Sequence, residues 1–465
     1  MRLLLILSIV LLIKLPVHTQ IIIKNVTVVD VLNKKLLQGH DVLVQDGIIT
    51  AVSTNIKTPK GTTIIDGTGK YVMPGLVDTH AHFFQSGSIY TRPDIIDLRK
   101  HKPYAEEIKW THEQMENILR RYTYAGITSV VDVGTTLNFL KRRDSFRTKS
   151  FAPEIYMAGP LLTTFKSPVY AGLNDDDPFN EIKTIEEARD FIRQQLPFRP
   201  DFIKVGYILL GSDKDSAAKA NYPLVAAAID EAHKNNLRVS VHATQLVASQ
   251  LAVEAGANHL VHGVDDKLID ESYIQLLKNR NVVVTPSLLV HSKYHIVFRH
   301  LYHATEDDIH YAHPAPLKTL MELKDLSDTT MVKNYFNLSE RNSARVKTAD
   351  SIRIVNLKRM LDGGVTIALG TDAGNIGSQH VSSYFHELAA IKNSGFDMWQ
   401  LLQTATINGA RAVGKDSEFG SVTKGKKANL ILLQKNPLEN ISNWKSIEWV
   451  INKGVAQTPA SIRNF

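Results

Sequence analysis

The chain has 465 residues, 43% hydrophobic and 22% charged, a balance that supplies a large apolar core and excludes a disordered, fibrous or membrane-bundle protein. Lys and Arg outnumber Asp and Glu by 54 to 47, but no dense basic run with interleaved aromatics occurs, so the excess does not mark a nucleic-acid surface. Cysteine is absent, which excludes disulfides, thiolate metal sites and cysteine nucleophiles; any metal must be held by imidazole, carboxylate or a less usual group.

The N-terminal stretch MRLLLILSIVLLIKLPVHTQ places Arg2 before an apolar run from Leu3 to Ile13. That run is too short to span a bilayer and fits a signal peptide over residues 1–20, whereas Lys14 and Pro16 close it awkwardly for a buried strand. No later stretch is long and apolar enough to cross a membrane. The expectation is an exported, soluble mature protein; without disulfides it suits a bacterial periplasm better than a eukaryotic secretory route. The sequons at Asn25, Asn337 and Asn440 are then incidental.

Next come IIIKNVTVVDV, HDVLVQDGIITAVS and TTIIDGTGKYVMPG, rich in β-branched residues and punctuated by DG and GTG turns; they read as short strands. ANLILLQKNPL and WKSIEWVINKGV near the C-terminus read the same way, so the two ends are expected to build one small β domain together. Between them strand-like and helical segments alternate. The candidate strands are 75–80, 126–134, 154–159, 202–207, 238–243, 258–263, 281–287 and 365–372, and QLVASQLAVEAGAN is a helix stopped by Gly256. Eight short apolar strands alternating with helices predict parallel βαβ units closing into a (β/α)8 barrel. An open doubly wound sheet fits less well, since no glycine-rich phosphate loop follows the first strand. The long gap from Leu288 to Val365 holds His291, His295, His300, His303, His310 and His313; it reads as a polar lid or insertion over the barrel mouth, with a second metal site at His300/His303 as the alternative.

Polar residues collect at the strand ends. His80 and His82 follow strand one in DTHAH, Lys204 lies in strand four, His242 and His262 end strands five and six, and Asp372 ends strand eight. With 18 histidines in the chain, roughly 0.7 HxH pairs arise by chance, so that pair alone decides nothing. Its position does. Residues two apart on an extended segment point the same way, and a barrel gathers its active site at the C-terminal ends of its strands. Imidazole and carboxylate suit zinc, and also manganese, iron or cobalt. Lys204 in the apolar FIKVGY is costly as a bare ammonium unless paired, for instance with Asp201, or used; as a carbamate it would carry a carboxylate head able to bridge two ions. His259 reads as a structural core histidine.

The motifs MPGLVDTHAH, YAGITSVVDVG, DFIKV, VSVHA, HLVHG, ALGTDAG, TATINGARAVG, GSVTKGKKANLILL and NPLENI together resemble the amidohydrolase superfamily from about Ile22 to Val455, most nearly its imidazolonepropionase-like branch with exported Xaa-Pro dipeptidases and arginine carboxypeptidase-like enzymes. The resemblance implies a (β/α)8 barrel over 73–419 with a composite β-sandwich from 21–72 and 420–465. It implies that His80, His82 and Asp372 hold the more buried of two divalent ions, zinc by ligand type, that His242 and His262 hold the other, and that carboxylated Lys204 bridges them. The run VGYILLGSD lacks the Gly-Gly often found after this lysine, which bears on substrate contacts; Tyr207 is the candidate substrate donor there, with a plain packing role as the equal alternative.

The expected activity is hydrolysis of an amide or peptide bond in a dipeptide or N-acyl amino acid, with water activated between the ions and Asp372 as both ligand and proton carrier. A cyclic amidase or heterocycle deaminase is the alternative within the family, and a non-catalytic periplasmic binding protein is the alternative outside it. The expected partner is a small molecule or short peptide, with no nucleic acid and no membrane after leader cleavage. The sequence is also compatible with a homo-oligomer.

Overall fold

The computed structural model of the chain describes residues 20–326 and 329–465. The signal-peptide expectation falls on residues outside these, except that Gln20 already opens the first strand.

The N-terminal strands are β1 (Gln20–Asp30), β2 (Lys35–Gln45), β3 (Ile48–Ser53), β4 (Thr63–Asp66) and β5 (Tyr71–Pro74). In β1 the register with β2 shifts between Ile23 and Val26, where Asn25 takes a positive φ of 53°. The irregularity lets β1 bury Ile21, Ile22 and Ile23 before it, and Val26, Val28 and Val29 after it. Each such side chain contributes about 1.5–3 kcal/mol on full burial.

The central parallel strands are β6 (Leu76–Ala81), β7 (Ile127–Asp132), β8 (Glu154–Met157), β9 (Leu161–Thr163), β10 (Phe179–Glu181), β11 (Ile203–Gly206), β12 (Val239–His242), β13 (His259–Val261), β14 (Val283–Thr285) and β15 (Thr366–Ile367). They form a three-stranded sheet, β6-β7-β8, and a seven-stranded sheet, β10-β9-β11-β12-β13-β14-β15. All eight expected segments contain a strand. The third is broken at Gly159–Pro160: β8 pairs with β7, whereas β9 pairs with β11 and β10. Pro160 has no N–H to continue a ladder, and the side chain of Gln195 donates to its carbonyl at 2.9 Å. At the other seam Thr79 donates to Leu369 O at 2.9 Å and Asp372 to His80 O at 2.7 Å, and Ala81 bridges Ala373.

The C-terminal strands β16 (Leu430–Leu433), β17 (Ile447–Asn452) and β18 (Val455–Gln457) complete the terminal sheet, whose order is β18-β17-β16-β5-β1-β2-β3 with β4 beside β1. Antiparallel pairing of β5 with β16 joins the chain ends as expected from the sequence.

Four helices matter for the site. Helix α1 (Leu246–Glu254) stops where Gly256 adopts a φ of 108°. Helices α2 (Val290–Phe298) and α3 (Thr329–Asp362) belong to the long insertion, and α4 (Ser382–Asn393) follows the last parallel strand. Among the described residues no helix is long and apolar enough to cross a membrane.

Candidate active site

His80, His82, Lys204, His242, His262 and Asp372 all line one cavity of about 730 Å³. Parallel strands deliver them there: β11, β12 and β13 run in the same direction, β14 and β15 continue that sheet in parallel, and β6 is bridged in parallel to Ala373, just past β15. The rings of His80 and His82 lie 5.3 Å apart, those of His80 and His262 4.8 Å, and those of His242 and His262 4.6 Å. His80, His82 and Asp372 each offer a ligand atom within 4.8 Å of the others'.

Hydrogen bonds settle which ring nitrogens face inward. His82 Nδ1 lies 2.8 Å from Gly134 O. A carbonyl only accepts, so Nδ1 carries the proton and Nε2 presents a lone pair. Ser287 Oγ donates to Gly370 O at 3.2 Å and lies 2.8 Å from His80 Nδ1, so it accepts from that ring and Nε2 of His80 is again a lone pair. Both Nε2 atoms stand 3.1 Å from Asp372 Oδ1. Three acceptors converging in a buried space need a cation between them, and the donor set fits a divalent ion. Burial pushes the His80 imidazole down to about 4 and the His242 imidazole down to about 3, keeping both in the neutral form that binds metal.

Lys204 is fully enclosed, and its Nζ has no hydrogen-bond partner among the described residues. Asp201, its candidate ion-pair partner by sequence, is taken by Arg143 at 2.6 Å and by the Met157 amide at 2.9 Å. Burial lowers the Lys204 ammonium to about 7, so neutral amine is available near neutrality.

The backbone is strained where it aims these groups. His262, Ser287 and Asp372 have φ values of 73°, 43° and 55°, left-handed positions that non-glycine residues adopt at a cost of about 1–3 kcal/mol each. Gly370 serves the site through its lack of a side chain, since a Cβ there would meet Thr285 Cγ2 at 2.6 Å and His80 Cβ and N at 2.8 Å. Gly370→Ala is expected to lose about 1–3 kcal/mol of stability, the usual scale for overpacking, and to bind less zinc. Thermal melting and metal analysis read the two effects.

Tyr207 takes the packing role and not that of substrate donor. Its hydroxyl donates to Ala218 O, its ring is fully buried in the hydrophobic core, and it does not line the cavity. Tyr207 is one residue beyond β11, whose cavity-facing members are Lys204 and Gly206, and side chains alternate along a strand, so position 207 faces away. The Ser240 and Thr285 hydroxyls contact both ring nitrogens of His259, at 3.0 and 2.8 Å, which bears out its structural role.

The insertion does reach over the cavity: α2 and α3 contribute His291, Tyr294, His295, Tyr335, Asn342 and Arg353 to its wall. Its histidines form no metal-type cluster among the described residues. His300 stacks on Phe336, His310 meets the Tyr124 hydroxyl at 3.0 Å, and His313 caps a helix through the Ala315 amide.

Sequence reasoning missed several groups that brace the site. Asn375 Nδ2 donates to Asp372 Oδ1 at 2.6 Å, while its own Oδ1 accepts from Arg92 and from Tyr294, each at 2.6 Å. Glu387 on α4 accepts from the Leu288 and Leu289 amides at 2.6 and 3.2 Å, just after Ser287, and burial pushes its carboxyl up to about 8. A lone acid in the apolar run SSYFHELAAI was the available signal for Glu387. Nothing local marks Asn375.

With this geometry in place the comparisons with known proteins are decisive. The sequence profile described as "Amidohydrolase family" matches residues 71–456. The chain belongs to the amidohydrolase family. It is therefore a hydrolase acting on carbon–nitrogen bonds. It is similar to a 5'-deoxyadenosine deaminase of Methanothermobacter thermautotrophicus, 24% identical over 87% of this chain and 83% of the relative. It is also similar to an ochratoxinase of Aspergillus niger, 23% identical over 87% of this chain and 79% of the relative. Among solved structures, a Xaa-Pro dipeptidase with bound methionine shares the fold with a TM-score of 0.69, 21% identity and coverage of 95% of this chain and all of the other.

Proposed function

We propose that the protein is a metal-dependent amidohydrolase that cleaves the amide or peptide bond of a small substrate, such as a dipeptide or an N-acyl amino acid. One observation carries this most of all: four imidazoles, a carboxylate and a partnerless buried lysine share a single cavity. The volume of about 730 Å³ is that of a small-ligand site, and apolar wall residues including Phe84, Phe179 and Phe298 suit an apolar substituent. In this proposal the two parallel sheets act as one (β/α)8 barrel, 73–419, with 21–72 and 420–465 as the composite β domain, and export by residues 1–20 places the enzyme in the periplasm.

His80, His82 and Asp372 would hold one divalent ion, and His242 and His262 a second. Lys204, whose buried Nζ has no partner among the described residues, would as the N-carboxylated lysine (carbon dioxide taken up, one proton lost to solvent) supply a further carboxylate donor to the site. Such ions lower the pKa of bound water toward neutrality and polarise a substrate carbonyl. The remaining work falls to the chain. Asp372 Oδ1 is tied to Asn375, so Oδ2 is the atom that takes the proton from attacking water and returns it to the leaving nitrogen.

Purified protein supplied with zinc and bicarbonate is expected to hold close to two ions per chain and to hydrolyse members of a panel of dipeptides and N-acyl amino acids. Ammonia release from purine nucleosides with no hydrolysis of the amide panel would replace the proposal with deamination, the second reading that the deaminase relative favours.

A further inference from the structure

One histidine of the insertion is unlike the rest. His291 sits on α2 in the wall of the metal-site cavity, its ring nearly parallel to that of His262, with centroids 6.2 Å apart and planes at 18°. Arg353, a buried residue on α3, reaches the Nδ1 edge of that ring. Arg353 Nη2 donates both to His291 Nδ1 and to Asp265 Oδ2, the latter at 2.7 Å, and Nη1 donates to Asp350 Oδ1 at 2.5 Å. Ser292 Oγ holds the second oxygen of Asp350 at 2.9 Å. The arginine is thus braced by two carboxylates and has little freedom to turn away.

A guanidinium has no acceptor and does not lose its proton in a protein. His291 Nδ1 must therefore accept, and the single proton of the neutral ring must sit on Nε2. Among the described residues Nε2 has no hydrogen-bond partner, and it is not one of the fully buried unpartnered polar atoms, as Nδ1 of the neighbouring His262 is; His291 lines the cavity. A lining residue stacked on the His262 end of the ligand cluster, with an Nε2–H that no protein group takes up, is a donor available to a bound substrate.

We propose that His291, locked as its Nε2–H tautomer by Arg353, donates a hydrogen bond to the carbonyl oxygen of the scissile amide and to the oxyanion that develops there. This gives the insertion a chemical purpose: α3 delivers Arg353, and Arg353 converts an ambivalent imidazole into an obligate donor. Arg353 is a positioning residue; His291 is the group that touches substrate. The carbonyl assignment rests on the amide-hydrolase reading above, whereas the tautomer does not.

Two measurements test it. In protein labelled with ring ¹⁵N-histidine, the signal that vanishes in His291→Phe is expected to show a bare Nδ1 and a protonated Nε2, and to move toward tautomer averaging in Arg353→Gln. A proton on Nδ1 in the wild-type chain overturns the lock without any variant having to be active. In kinetics with an amide substrate, His291→Phe keeps the flat ring against His262 but lacks the donor. It is expected to lose about 10²-fold in kcat, the scale for one oxyanion donor, with KM and metal content near wild type, and His291→Gln is expected to recover part of the loss through its amide N–H. Unchanged kcat in His291→Phe overturns the substrate role while leaving the hydrolase assignment intact. A wild-type enzyme that cleaves no amide removes both the hydrolase assignment and the substrate role, and leaves the tautomer to stand or fall on its spectrum.

Discussion

Asp372→Asn is expected to lower kcat on an amide substrate by at least about 10²-fold, the scale for losing a proton-transfer group, while metal content stays near that of the wild type. Asparagine has the same shape and keeps an oxygen that can face the His80 and His82 nitrogens and accept from Asn375 Nδ2, the contacts Oδ1 makes now. What it cannot do is take a proton at the second position. The measurement pairs steady-state kinetics with elemental analysis of the same preparation. Near-normal turnover with full metal would remove Asp372 as the proton carrier; loss of metal in step with activity would make it a ligand only.

Lys204→Met is expected to hold about one ion instead of two and to lose at least about 10²-fold in kcat, since half of the electrophilic charge would go with the bridge. ¹³C-bicarbonate gives an independent signature: a carbamate resonance in the wild type that the variant lacks. Stability should move the other way. The Nζ is buried without a partner, and an unpaired amine in that setting costs free energy that a methionine of similar length does not. The metal-free variant is therefore expected to melt no lower than the metal-free wild type, and a markedly lower melting temperature would mean that Lys204 has a structural role instead. Two ions in the variant, with the same activity, would exclude the bridge.

Much of this was legible from the sequence, for local reasons. The eight expected strand segments are short apolar runs bounded by glycine or a polar residue, and a run such as VSVHA carries its polar residue at the end where a parallel sheet opens. The HxH pair on β6 follows from the two-residue period of a strand. The joined terminal sheet was foreshadowed by β-branched segments at both ends. Where the sequence failed, long-range geometry decided. Tyr207 looked like a substrate donor because it lies three residues past Lys204, but an odd offset along a strand points to the opposite face. The break of the third strand at Pro160 passed unread because its consequence is a change of partner, from β7 to β11, that no single segment records.

The chain's own order of residues determined the kind of chemistry available: no thiols, imidazole and carboxylate ligands at strand ends, and one lysine in an apolar strand. Periodicity is a local property, so burial pattern and strand direction can be read from neighbours in sequence. Only the tertiary structure decided which of the insertion's histidines meet the cavity, that Asn375 ties one oxygen of Asp372, and that Arg353 holds His291 from 62 residues away. Those are contacts between segments whose separation along the chain carries no information about their separation in space, and hydrogen bonds that assign a proton to one nitrogen exist only once both partners are in place.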